Sequence, residues 1–275
     1  MQRLAGSAAL VTGGASGLGK AIAIRLKAEG ARVTISDIQV DLGRDAASQH
    51  DLTFHTQDVC SEAGWSETIN AIDSQFGRLD LLVNNVTAIP DELVLPGGFW
   101  EKPLAMQAIL DVGLRSHYVA SWHAARAMVP QREGLIVMVS SPGARSYLHG
   151  PAYGAGKAGI DKMSADMAVD LKKHQVAAIS LWAALTLTER SQVVMKAHPG
   201  EYDAVMANAV HPEFMGRLLD VLMRDARLSE RSGKTFYAAE LAAELGVQDV
   251  DGRQPPSDRA FLGEPAQVTG AVIGG

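Results

Sequence analysis

The chain has 275 residues, of which 47% are apolar and 20% charged, and its eleven prolines and 27 glycines are spread along its length; this is the composition of an ordinary globule with an ample core, expected to be one domain over 1–275. Lys+Arg at 25 against Asp+Glu at 31 leaves a formal charge of -6, and no long basic run follows a phosphate backbone, so nucleic acid is excluded as an expected partner. Cys60 is the only cysteine, which excludes an intrachain disulfide and a multi-cysteine zinc site and suits a reducing, cytoplasmic compartment.

The first twelve residues hold a short apolar run, yet they lead straight into a glycine turn without a signal-peptide cleavage pattern, and no run approaches the length of a membrane span. Ala8-Ala9-Leu10-Val11-Thr12 predicts a strand. Gly13-Gly14-Ala15-Ser16-Gly17-Leu18-Gly19 predicts a turn, and Ala21, Ile22, Ile24 and Leu26 continue at helical spacing. Gly13, Gly17 and Gly19 permit a tight turn that aims helix N-terminal amides at a pyrophosphate. The spacing Gly-x-x-x-Gly-x-Gly differs from the usual dinucleotide fingerprint, and an ordinary glycine-rich turn is the alternative.

Arg32-Val33-Thr34-Ile35-Ser36 reads as a second strand with Asp37 at its tip, 18 residues beyond Gly19. A carboxylate there can accept hydrogen bonds from ribose hydroxyls and repel a 2'-phosphate. Ser16 and Ile38, which could have been basic, are neutral, so NAD is favoured over NADP. Asp37 can also be a helix cap or turn residue. Leu52 to Thr56 reads as a third strand, followed by Asp58 and a helix over about 61–76. Asp58 either bonds an adenine amino group or caps that helix. Leu79 to Val83 is an apolar strand of the kind buried on both faces, closed by Asn84-Asn85, whose amides can satisfy backbone groups beside a cofactor cleft.

Proline and glycine mark 86–103 as a loop rim, and a long helix is expected over about 104–129. It either packs intramolecularly or pairs with its copy in a dimer. His117 and His123 lie on it, six apart with no carboxylate at metal-ligand spacing, and read as packing or surface residues; no metal is expected. Gly134 to Val139 is a fifth buried strand ending in Ser140-Ser141, at the sheet edge where ligands bind. A helix is expected from near Tyr153 to about His174, then a sixth strand from Val176 to Trp182. The stretch 183–225 is expected to form a substrate lid, with Met195, Met206, Met215 and Met223 serving either an adaptable pocket or the core. Within it 213–227 reads as an amphipathic helix. Gly233 to Tyr237 reads as a seventh strand, and a phosphate-loop reading of Gly233-Lys234-Thr235 fails because position 228 is Leu228. A short helix over 239–245 is the only element expected in the tail. The expected architecture is α/β, a doubly wound parallel sheet of about seven strands with helices on both faces.

Tyr153 and Lys157 are four apart on their helix, which places a phenol beside an ammonium. The positive charge favours phenolate, and a shift of about 3 pK units, roughly 4 kcal/mol, would bring the tyrosine to neutral pH.

Thr12 to Gly19, Asp58, Asn84-Asn85, Ser140-Ser141 and Tyr153-x-x-x-Lys157, in this order, resemble the short-chain dehydrogenase/reductase family over about residues 5–190. Phe99-Trp100-Glu101, Val112 to Tyr118 and Gly134 to Gly143 look like its dehydrogenase/reductase member one subgroup. The resemblance implies a Rossmann-type sheet and NAD(H)-dependent interconversion of a secondary alcohol and a ketone. It implies that Tyr153 passes a proton to or from the substrate oxygen, that Lys157 bonds the nicotinamide ribose, and that a serine bonds the same oxygen. A separation of 13 from the tyrosine selects Ser140; counting seven along the strand from Gly134 selects Ser141, the residue expected here. Cofactor contacts are implied for Gly13, Ser16, Gly17, Leu18, Gly19, Asp37, Asp58, Val59, Asn85, Tyr153, Lys157 and Thr188. A small-molecule substrate and a homodimer or homotetramer follow from the same resemblance, without nucleic acid or membrane. The chain departs from the pattern at Gly113, where the family has a catalytic asparagine, at Val86-Thr87 in place of Ala-Gly, and at Ala183-Ala184 in place of Pro-Gly. A catalytically weak nicotinamide sensor or scaffold, and a ligand-free structural domain, are the competing expectations.

Overall fold

Side chains along a strand alternate between faces, and in the central strands of this chain both faces are apolar. The computed structural model describes residues 3–197, 200, 206–269 and 271. Its strands are β1 (Ala8–Thr12), β2 (Arg32–Asp37), β3 (Thr53–Thr56), β4 (Leu81–Asn84), β5 (Gly134–Ser140), β6 (Val176–Trp182) and β7 (Thr235–Tyr237). They form a 7-stranded sheet in the order β3-β2-β1-β4-β5-β6-β7, with every neighbouring pair parallel.

Parity along the strands builds two cores. Val11, Val83, Val137 and Ile179 face one side, against α1 (Gly17–Ala28) and the later helix Glu213–Leu222. Leu10, Leu82, Ile136 and Ala178 face the other. There they meet Trp65 and Ile72 of α3 (Glu62–Phe76), Ala124 and Met128 of α4 (Ser116–Gln131), and Ile160 of α5 (Pro151–Leu171). Such a sheet, buried on both sides, needs apolar residues at consecutive positions, which is why β4 and β5 read as unbroken runs. Helices therefore cover both faces, as expected for a doubly wound fold.

Three elements differ from expectation. Helix α2 (Val40–His50) was not anticipated, because the two residues buried on it, Gly43 and Ala46, are small and carry little apolar surface. Gly43 packs on Phe54 so closely that a Cβ would lie 2.1 Å from the ring. The segment expected as one helix over 104–129 is composite: a 3-10 turn Leu104–Gln107, a turn Ala108–Leu110, a π turn Asp111–Arg115, and then α4. Gly113 lies in the π turn, and the Ser116 hydroxyl donates to the Val112 carbonyl at 2.6 Å; such back-bonding bends a helix. In the expected lid, α6 (Glu189–Ala197) is helical and Thr186 bridges Val210, while residues 198–199 and 201–205 lie outside the described residues. The helix expected over 213–227 ends as α7 (Glu213–Leu222), and α8 (Ala238–Glu244) follows β7. Among the described residues no helix is long and apolar enough to cross a membrane.

Candidate active site

The chain winds outward from β1 to β2 and β3 on one side and from β4 to β5, β6 and β7 on the other. The loops leaving β1 and β4 therefore diverge and open a crevice at the strands' carboxyl ends. Thr12 ties the two loops together. Its hydroxyl accepts from the Asn85 and Val86 amides at 3.0 and 3.2 Å, and the Asn85 side chain donates to the Thr12 carbonyl at 2.9 Å. Asn85 is thus spent on holding the glycine turn. Gly13 and Gly17 have φ of 65° and 53°, a region that favours glycine. At Gly19 a Cβ would lie 2.2 Å from the Gly13 carbonyl oxygen and 2.6 Å from the Asn85 amide, so only hydrogen fits.

Helix α1 starts at Gly17, after an extended Ser16 whose side chain makes no capping bond; Leu18 packs against the core. Free amides at a helix N-terminus attract anions. An anion is already seated there. Glu189, the first residue of α6, accepts from the Gly17 amide at 3.1 Å through Oε2 and pairs with Lys20 at 2.8 Å through Oε1. The bond from Lys20 holds its carboxyl below the usual carboxylate range. Thr188 stands beside it, its methyl 3.8 Å from where a Gly17 Cβ would be, and its hydroxyl accepts from the Ser191 amide at 3.3 Å. The carboxylate marks the turn as a seat that an anionic group such as a pyrophosphate fits.

Asp37 closes β2 with its carboxylate folded onto the same turn, accepting from the Ala15 amide at 3.1 Å and the Gln39 amide at 3.0 Å. Asp58 accepts from the Cys60 amide at 2.9 Å. That bond lies in the turn before α3, whose N-cap is Ser61 and not Asp58. Val59 is buried, and its carbonyl accepts from the Trp65 indole at 3.0 Å.

Strand parity separates the two serines. Ser140 ends β5 on the face of Ile136 and Met138, under α5, where its hydroxyl reaches the Lys157 carbonyl at 3.4 Å and adjoins Asp161. Ser141 lies beyond the strand, accepts from the Gly143 amide at 3.0 Å and shares a hydrogen bond with Tyr153. Gly143 is pressed against the phenol: a Cβ there would sit 2.7 Å from Tyr153 Cε1. The His149 ring meets Tyr153 edge-on at 5.1 Å. Lys157, one turn along α5, is buried, places Nζ 5.6 Å from the Tyr153 ring centroid and donates to the Val139 carbonyl at 2.9 Å.

The spacing predicts a phenol drawn down by its lysine, and here the structure corrects it. Burial pushes Tyr153 up, with the Ser141 hydroxyl opposing. Burial also pushes Lys157 down to about 8, opposed by Asp161. Removing both groups from water disfavours both charged forms.

Near Lys157 lie His117, expected as a packing or surface residue, and Asp161, not singled out from the sequence. His117 is fully buried, with Nε2 2.9 Å from the Val86 carbonyl and Nδ1 without a partner among the described residues. Burial and the Lys157 charge push it down to about 3, so its ring is neutral and, facing a carbonyl, carries its proton on Nε2. Asp161 follows Lys157 by one turn, a spacing visible in the sequence but not used. His123 is on α4 against Trp122, with ring centroids 4.8 Å apart. At Gly113 a Cβ would press on Thr87 Oγ1, at 3.3 Å.

Comparison with known proteins matches residues 7–199 to the short chain dehydrogenase family model. Human dehydrogenase/reductase SDR family member 1 is 35% identical over 264 residues, covering 90% of this chain and 84% of that protein. A (+)-borneol dehydrogenase of Salvia officinalis is 31% identical over 179 residues, covering 63% of this chain and 62% of its own. The crystal structure of gox2181 superimposes with a TM-score of 0.75 at 23% identity, over 87% of this chain and 98% of that one, a likeness of fold.

Proposed function

The chain belongs to the short-chain dehydrogenase family, and from that premise we propose that it is an NAD(H)-dependent oxidoreductase that interconverts a secondary alcohol and a ketone, with Tyr153 as general acid and base. The observation that carries the reading is the convergence of Ser141, Tyr153 and Lys157 at the carboxyl end of β5.

In this reading Gly13, Ser16, Gly17, Leu18 and Gly19 receive the pyrophosphate, Asp37 receives the adenosine ribose, and Lys157 and Thr188 hold the nicotinamide end. Lys157 has three donors, of which one is spent on Val139. A nicotinamide held there would supply or accept the hydride at the carbinol carbon. Tyr153, protonated because burial raises its pKa, donates its proton to the ketone oxygen in reduction; in oxidation its phenolate form, favoured by the Lys157 charge, takes the proton of the hydroxyl. Ser141 donates a hydrogen bond to that oxygen, a preorganised donor where negative charge develops. Asp37 supports NAD over NADP, because its carboxylate repels a 2'-phosphate and its neighbours Ser16 and Ile38 carry no compensating charge. A homodimer or homotetramer in the cytoplasm belongs to the same proposal; α4 presents Tyr118 and Trp122 outward, 53% and 48% exposed.

Tyr153→Phe tests the mechanism. NADH affinity is expected to stay at the wild-type value while turnover of a ketone falls about 10²–10⁴-fold, the usual worth of a general acid. Equal turnover by the variant would refute the assignment of Tyr153.

A further inference from the structure

We propose that Asp161 is a positioning residue for the Tyr153–Lys157 pair, a buried counter-charge that keeps Lys157 protonated; the inference rests on the function proposed above. Tyr153, Lys157 and Asp161 occupy positions i, i+4 and i+8 of α5 and so share one face of the helix. The carboxylate is fixed from the sheet. Oδ1 accepts from the Ser180 hydroxyl at 2.5 Å and Oδ2 from the Trp182 indole at 2.8 Å. Ser180 and Trp182 are two apart on β6, hence on one face, and are paired in register with Met138 and Ser140 of β5. Burial pushes the Asp161 carboxyl up, and the two donors fixed on β6, together with the Lys157 charge, oppose it in favour of the charged form.

Lys157 needs such a partner. A buried ammonium without an opposite charge loses its proton, and the one protein acceptor of Lys157 Nζ is the neutral Val139 carbonyl. The titratable groups facing it are Tyr153 and Asp161 from α5 and His117 from α4; β5 contributes only the Val139 carbonyl and the Ser140 hydroxyl. Tyr153 is neutral when its proton is in place, and His117 is neutral at any pH the enzyme works in. Among the described residues Asp161 is left as the single fixed negative charge that Lys157 feels. No salt bridge joins them among the described residues, so the charge acts across the helix turn while Lys157 keeps its donors for Val139 and the ribose. Lys157 stands at about 8 even with that support. Below this value it carries the charge that favours proton transfer by Tyr153; as pH rises through it, the charge is lost.

The test is Asp161→Asn, which keeps the shape of the side chain: its amide oxygen can accept from the Trp182 indole while its NH2 donates to the Ser180 hydroxyl, reversing that bond. The ionisation of Lys157 is followed in wild type and variant through the carbon-13 shift of lysine Cε, each against its Lys157→Met counterpart, so that Lys157 alone is read. The pH profile of kcat/KM is measured beside it. The alkaline limb of the profile is expected to move down by about one pH unit, a loss of roughly tenfold at pH 9, with NADH affinity at pH 6.5 unchanged and Lys157 losing its proton at correspondingly lower pH. A variant profile that is wild type scaled uniformly, with an unmoved Lys157 titration, would show that Asp161 merely anchors α5 to β6 and would overturn the proposal. Should Asp161→Asn not fold, Trp182→Phe removes an anchor and leaves the charge. Its alkaline limb is expected to stay in place, and a displacement of one unit would overturn the counter-charge. If no ketone or alcohol is turned over, the proposed function fails, while the Lys157 titration, which needs neither cofactor nor substrate, still decides on Asp161.

Discussion

Glu189 sits where the proposed cofactor must place its pyrophosphate, so replacing it with glutamine is expected to tighten NADH binding. The carboxylate makes one bond to the Gly17 amide at 3.1 Å and one ion pair to Lys20 at 2.8 Å. Its side chain is 61% exposed and that of Lys20 32%, so the ion pair contributes at most about 1 kcal/mol. The helix-terminal contact contributes about 0.3–1 kcal/mol. Cofactor binding has to break both, and together they amount to roughly 1–1.5 kcal/mol, a five- to tenfold change in apparent Kd. Repulsion between the carboxylate and the incoming pyrophosphate adds to the effect in the same direction. Calorimetric titration with NADH at low and high salt measures it, and the gain should shrink at high salt because both partners are exposed. The sign with pH is also fixed. Because Lys20 lowers the Glu189 carboxyl from its ordinary value of 4.5, the contact is fully present above that value and is lost as pH falls through the lowered one. The advantage of Glu189→Gln is therefore complete at neutral pH and disappears on strong acidification. An unchanged or weaker NADH Kd for the variant at neutral pH and low salt would refute the idea that this carboxylate competes for the seat.

Gly19→Ala pushes a methyl to 2.2 Å from the Gly13 carbonyl oxygen, and backbone cannot yield as a side-chain tip does. A loss of about 1–3 kcal/mol in a denaturant melt and an NADH affinity reduced at least tenfold are expected; a fully stable variant with wild-type affinity would show that the turn is looser than its contacts indicate. Asp37→Asn keeps the size of the side chain and removes its charge. NADH should bind about tenfold or more weakly, the range for losing a charged hydrogen-bond partner, and NADPH should bind more tightly than it does to wild type. Wild-type protein that prefers NADPH to NADH would sink the argument from Asp37.

The central sheet was legible because burial on both faces imposes a rule that consecutive residues obey. Leu81, Leu82 and Val83 are all fully buried, and no helix of ordinary amphipathic pattern needs such a run. Where the rule is weaker the reading failed. Helix α2 buries only a glycine and an alanine, so its inner face carries little apolar surface, and the close fit of Gly43 on the Phe54 ring is a contact between elements that no periodicity reports. The irregular entry to α4 was hidden for the opposite reason. Its apolar positions keep helical spacing, while the π turn is made by a local hydroxyl-to-carbonyl bond and a glycine, which spacing does not register.

The site divides along the same line between what repeats and what is buried. Four-residue spacing put Tyr153 and Lys157 on one face, and strand parity put Ser140 under α5, leaving Ser141 beside the phenol. Electrostatics followed from depth instead, and depth is invisible in a sequence. A lysine at helical spacing lowers a phenol only when the pair is wet enough for the ammonium to keep its own charge. With both groups withdrawn from water, the phenol moves up and the ammonium down, so the pair alone cannot supply the charge that the reaction asks of it. Its chemistry then depends on what else was buried with it. His117 stays neutral and adds no charge, whereas Asp161, fixed by donors from the sheet, adds the opposite one. Extending the helical count by one further turn, from Lys157 to Asp161, would have found the residue, because a buried cation calls for an anion within reach of its own face.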